Sequence, residues 1–154
     1  MKYQLILALS MTLIATTTLA ELKPEDKITF RQSGYTFMRW NMGNIKNQVV
    51  EHPETYNKAQ VIAAANVIAA VANSAIFTLF SPDTAKGKGW KETRVKPEFF
   101  KEPDEVKKLA LDFKQQADKL AKVSQGDDID MIKTQFEDLF KACKSCHKKF
   151  RTKD

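Results

Sequence analysis

The chain has two cysteines, and both fall in one stretch near its carboxyl end, Cys143-Lys144-Ser145-Cys146-His147. Thiols at positions i and i+3 of a helix share one face. At that separation they reach the two vinyl groups on one porphyrin edge, and the adjacent His147 can turn its imidazole under the iron as an axial ligand. C-x-x-C-H is accordingly the spacing of covalent c-type haem attachment. Other chemistries use the same residue types. A thioredoxin-like pair belongs at a helix start inside a βαβ pattern, and no such pattern surrounds this one. A structural zinc site needs four ligands, and His52, far upstream before Pro53, is the one further histidine. A Cys143–Cys146 disulfide would leave His147 without a role. Haem attachment uses all three side chains.

A helix carrying the motif has to turn it inward. Ile129, Ile132, Phe136, Leu139, Cys143, Cys146 and Phe150 alternate in steps of three and four, the spacing of one bundle-facing stripe. Both cysteines then face the interior, and the porphyrin is held inside a helical bundle. Asp127 or Asp128 can cap this helix once Gly126 has ended the one before it. Lys148, Lys149, Arg151 and Lys153 suit its carboxyl end.

Three more helices are predicted, and no strand. The first runs from about Pro24 to Val50, with Pro24, Glu25 and Asp26 suited to an opening turn. Its inner stripe is Ile28, Arg31, Tyr35, Met38, Met42, Ile45 and Val49. Arg31 is the charged exception in that row. Either it reaches solvent from the helix edge, or an anion such as a haem propionate meets it. His52, before a proline, belongs to the loop that follows. A second helix is predicted from about Thr55 to Phe80, rich in alanine and buried on much of its circumference. Asn66, Asn73 and Ser74 argue against a membrane span. Residues 81–100 form a connection long enough to need a task, such as lying along a haem edge. The third helix is expected from Pro103 to about Ser124, with Val106, Ala110, Phe113, Ala117 and Leu120 inward.

Residues 1–20 read as a signal peptide, with Lys2, an apolar stretch from Leu5 to Ile14, and Thr18-Leu19-Ala20 as the cleavage site. Cleavage after Ala20 would leave residues 21–154 as one domain, exported to the bacterial periplasm. The formal charge is +6, and +5 without Lys2. The lysines are dispersed, which describes a solvated basic surface. No nucleic-acid motif is present.

The whole of residues 21–154 resembles the cytochrome c′ family, most specifically in Lys23-Pro24-Glu25-Asp26, Arg31-Gln32-Ser33, Lys96-Pro97-Glu98-Phe99-Phe100 and Cys143 to His147. The resemblance implies an all-α, up-down-up-down four-helix bundle enclosing one covalently attached haem c. It implies thioethers at Cys143 and Cys146, His147 as the metal ligand, and haem contacts from Arg31, Gln32 and, more weakly, Thr93. Arg151 matches a basic residue beside the proximal face. Tyr35, one turn after Arg31, stands where low-spin relatives place a methionine. It implies five-coordinate iron and a dry distal pocket open to NO and CO, with Met38 and Met42 as core filler or alternative ligands. The chain is then expected to be a periplasmic gas-binding haem protein, a homodimer through the first two helices, and able to exchange electrons with a periplasmic redox partner. A low-spin, six-coordinate electron-transfer cytochrome is the alternative. An enzyme is not expected, since no histidine stands in the distal stripe for acid–base work.

Overall fold

The structure, a computed structural model, describes residues 22–153. The expected signal peptide and its cleavage point lie outside the described residues. Four α-helices make the bundle: α1 (Pro24–Lys46), α2 (Lys58–Asn73), α3 (Pro103–Val123) and α4 (Ile129–Phe150).

Local chemistry sets the ends. Pro24 opens α1, with Glu25 and Asp26 in its first turn facing the positive end of the helix dipole. Beyond Lys46 the helix widens into a π-turn, Asn47–Glu51, which stops where His52 leaves helical dihedrals ahead of Pro53. The Asn57 Oδ1 caps α2 by accepting from Gln60 N at 3.1 Å. Asp128 Oδ1 caps α4 by accepting from Met131 N at 2.9 Å.

The second helix is shorter than the expected Thr55–Phe80. It ends at Asn73, and the chain continues as a 3₁₀ turn, Ala75–Leu79. Ser74 is the cause. Its hydroxyl donates to Val71 O at 2.7 Å, taking a carbonyl that the next helical turn would use, and its backbone swings to an extended ψ of 170°. Nor is α2 covered all round. Val61, Ala64, Ala65, Ile68 and Ala72 are buried, while Ala63, Asn66 and Ala70 lie open on another face. Among the described residues no helix is long and apolar enough to cross a membrane.

Packing runs in chain order: α1 on α2, α2 on α3, α3 on α4. Ile28, Ile45, Ile68, Leu120, Ile132 and Leu139 are fully buried, each contributing about 1.5–3 kcal/mol. The pair that closes the ring, α1 and α4, touches far less than these three. The long connection crosses that thin seam. It is bonded to α1 through Arg31 and Gln32 and to the end of α4 through a bridge between Val95 and Arg151.

Candidate functional site

The α1–α4 seam carries the residues singled out above. On the α4 wall, Cys143 and Cys146 are half-buried, free thiols on one face of the helix. Ala142 takes the fully inward position beside them, so the thiols point at the seam rather than at the centre of the core. Burial pushes Cys143 up to about 11 and Cys146 up as well, so both stay protonated at neutral pH. His147 is exposed on the next position of the helix. Although part of the residue is open to solvent, the protein packed around its ring desolvates it, and this, with the Arg151 and Arg94 guanidiniums, pushes the imidazole down to about 4. It is therefore neutral at pH 7, with a nitrogen lone pair to offer.

Tyr35 stands on the α1 wall opposite, packed against the core and edge-on to Phe80, 6.4 Å between ring centroids. Burial is the main cause of its raised pKa, and the nearby Cys146 and Cys143 thiols add to it. The phenol is held protonated between the helices. Met38 is buried in the core one turn on, and Met42 packs against the same cluster.

Arg31 does not reach solvent. It is 3% exposed. Its Nη1 donates to Leu79 O at 3.0 Å and Thr84 Oγ1 at 2.6 Å. Its Nη2 donates to Thr84 O at 3.0 Å and Thr93 Oγ1 at 2.7 Å. The guanidinium carbon lies 4.3 Å from the Phe80 ring centroid, a cation–π contact. Burial lowers its pKa, opposed by Tyr35 and Asp83.

Gln32 lies one residue round the helix and turns elsewhere. Its Oε1 accepts from Trp90 N at 2.8 Å and Lys91 N at 3.2 Å, while Nε2 donates to Lys91 O at 2.9 Å. Arg151 closes α4, its N–H donating to His147 O at 3.1 Å. The structure thus gathers Arg31, Tyr35, Thr93, Cys143, Cys146, His147 and Arg151 around one seam, with Gln32 committed to the adjoining loop. His52 is remote and exposed, its Nδ1 3.3 Å from Glu54 Oε1. Thr84 and Phe80 escaped the sequence reading. Ser81-Pro82-Asp83-Thr84 is legible as a capped turn, which would have flagged Thr84. Phe80 had no signal, because its direction follows from the break at Ser74.

These residues fit a covalently held haem. The two protonated thiols and a neutral imidazole share one wall. The buried guanidinium opposite spends its Nη hydrogens on neutral carbonyls and hydroxyls, so its positive charge, and not those hydrogens, is what a carboxylate would meet. Among the described residues no group of three or more His, Cys, Asp or Glu side chains could hold a metal ion.

Comparison with known proteins agrees with this arrangement. The family model for cytochrome c′ matches residues 26–151. Cytochrome c′ of Allochromatium vinosum is 47% identical over 145 residues, covering 94% of this chain and 92% of the relative. A solved cytochrome c′ described by its ligand-controlled dimer dissociation superposes with a TM-score of 0.81 at 50% identity, covering 87% of this chain and 100% of the other. A nitric oxide complex of a variant cytochrome c′ from Alcaligenes xylosoxidans gives 0.74 at 28% identity, covering 85% and 98%. The chain belongs to the cytochrome c′ family, whose cofactor is haem c.

Proposed function

We propose that this chain is a periplasmic haem c protein whose iron has five ligands and binds NO and CO. Cys143 and Cys146 would hold the cofactor as thioethers and His147 would be the one protein ligand to iron. The group supplies a redox-active metal with a face for a diatomic ligand. The chain's own residues do the rest. Arg31 presents a fixed positive charge to a propionate, and Arg151 places a second cation beside His147.

The observation that carries this reading is Tyr35. It fills the inward position opposite both thiols, and a phenol kept protonated by burial is a poor iron ligand. Met38 is buried in the core that all four helices share, which favours five ligands over the six-coordinate alternative. The Alcaligenes xylosoxidans relative was solved with nitric oxide, which supports the choice of ligand. A visible spectrum of the reduced protein before and after CO is the test. A high-spin form that shifts with CO is expected; a low-spin spectrum indifferent to CO would transfer the function to electron transfer alone.

The same reading includes a homodimer. Phe30, Phe37 and Trp40 on α1 are 53%, 52% and 61% exposed, with Phe37 stacked on Trp40 at 5.8 Å. Gly34, Ala70, Val71 and Ile76 line an apolar groove beside them. Large apolar surface of this kind is rarely left open, and a relative is described as a dissociable dimer.

A further inference from the structure

The segment between Lys86 and Glu92 is a small hairpin that carries none of the residues assigned to the haem above. Lys88 and Glu92 pair in an antiparallel bridge, and Thr93 N donates to Gly87 O at 2.9 Å. Gly87, at φ 112°, makes the turn into it. The tip is pressed onto α1, so that a Cβ on Gly89 would lie 2.7 Å from Thr29 N. Gln32 clamps the backbone of Trp90 and Lys91. Trp90 Nε1 donates to Ser33 Oγ at 2.8 Å.

The outcome is a tryptophan fixed from both backbone and side chain, yet 68% exposed. Those bonds serve no core. They hold a large apolar side chain in one orientation at the surface, which lowers the entropy cost of an encounter. Tryptophan is among the residues that most often dominate a binding interface. Lys86, Lys88 and Lys91 lie within four residues of it, all exposed, against the single exposed carboxylate of Glu92, so the hairpin offers an apolar centre in a net positive segment. That charge pattern selects a partner bearing carboxylates around an apolar spot and speeds its approach. The indole N–H is already committed to α1, which favours a protein face over insertion into a bilayer interface.

We propose that Trp90 with Lys86, Lys88 and Lys91 is the docking surface for an acidic electron-carrier protein. The redox sense of this rests on the haem reading above, because the hairpin is clamped by Gln32 beside the seam.

The test is a titration of isotope-labelled holoprotein with an acidic flavodoxin, at low and high ionic strength, followed by amide chemical shifts. Shifts should concentrate on residues 86–92 and 29–33 and vanish at high salt. Trp90→Ala and Lys86→Glu should each weaken binding about tenfold or more, with the visible spectrum and CO response unchanged. Lys86→Glu, outside the Lys88–Glu92 bridge, alters only a surface charge and keeps the test decisive if Trp90→Ala loosens the hairpin. Shifts elsewhere, or wild-type affinity in both variants, would overturn the proposal. A changed monomer–dimer constant at unchanged flavodoxin affinity would assign the patch to a second copy of the chain. Trp90-dependent pelleting with phosphatidylglycerol vesicles, without flavodoxin binding, would assign it to lipid. A colourless protein would sink the haem reading alone, and the same shift map would still decide the docking surface.

Discussion

Arg31 on α1 donates from Nη2 to Thr93 Oγ1 at 2.7 Å, joining residues 62 positions apart in the chain. With its bonds to Leu79 and Thr84, one guanidinium gathers the turn after α2 and two points of the long connection onto α1. A lysine has a single nitrogen and cannot reproduce that fork. Arg31→Lys should lower stability by about 1–3 kcal/mol, read from denaturant unfolding of the holoprotein, and raise hydrogen exchange across residues 79–93. Unchanged exchange in that segment would show that the connection is held by something else.

On the reading proposed above, Tyr35 guards the face of the seam opposite the thiols. Shortening it to alanine removes the ring that meets Phe80 edge-on and opens the distal side. Stopped-flow mixing of reduced Tyr35→Ala with CO should give an on-rate raised about tenfold or more, equivalent to about 1.4 kcal/mol off the barrier. An on-rate equal to wild type would remove Tyr35 from the distal role.

The two close-packed glycines should behave differently. A Cβ on Gly89 would meet Thr29 backbone at 2.7 Å, whereas one on Gly34 would meet the Ile76 Cδ1 tip at 2.9 Å. Backbone cannot yield and a side-chain end can. Gly89→Ala should lift the hairpin from α1, costing about 1–3 kcal/mol and exposing the amides of Trp90 and Lys91 to exchange. Gly34→Ala should cost less than Gly89→Ala. The reverse order of melting temperatures would contradict this contrast.

Phe37 and Trp40 stack in the open, on the face proposed for the subunit contact. Placing a carboxylate there, as Phe37→Asp, should raise the dimer dissociation constant about thirtyfold, the equivalent of about 2 kcal/mol. Sedimentation equilibrium across micromolar concentrations would follow it, and an unaltered constant would move the interface off α1.

Sequence by itself determined the helices and the cofactor chemistry. The three-and-four spacing from Ile129 to Phe150 is a property of the α-helix, and it places Cys143 and Cys146 together on one face without reference to any neighbour. The capping chemistry of Pro24, Asp128 and Pro103 is equally local, so three helices out of four fell within a few residues of their expected ends. Tertiary structure decided the rest. Whether Arg31 snorkels or is buried depends on Leu79, Thr84 and Thr93 arriving over it, and no pattern along α1 encodes their arrival. The end of α2 turned on Ser74, whose hydroxyl outcompetes the helix in an otherwise continuous apolar run. The fate of Gln32 was settled by the backbone of Trp90 and Lys91. Periodicity reports which way a side chain faces; only the packed chain reports what it meets there, because the partners come from segments dozens of residues away.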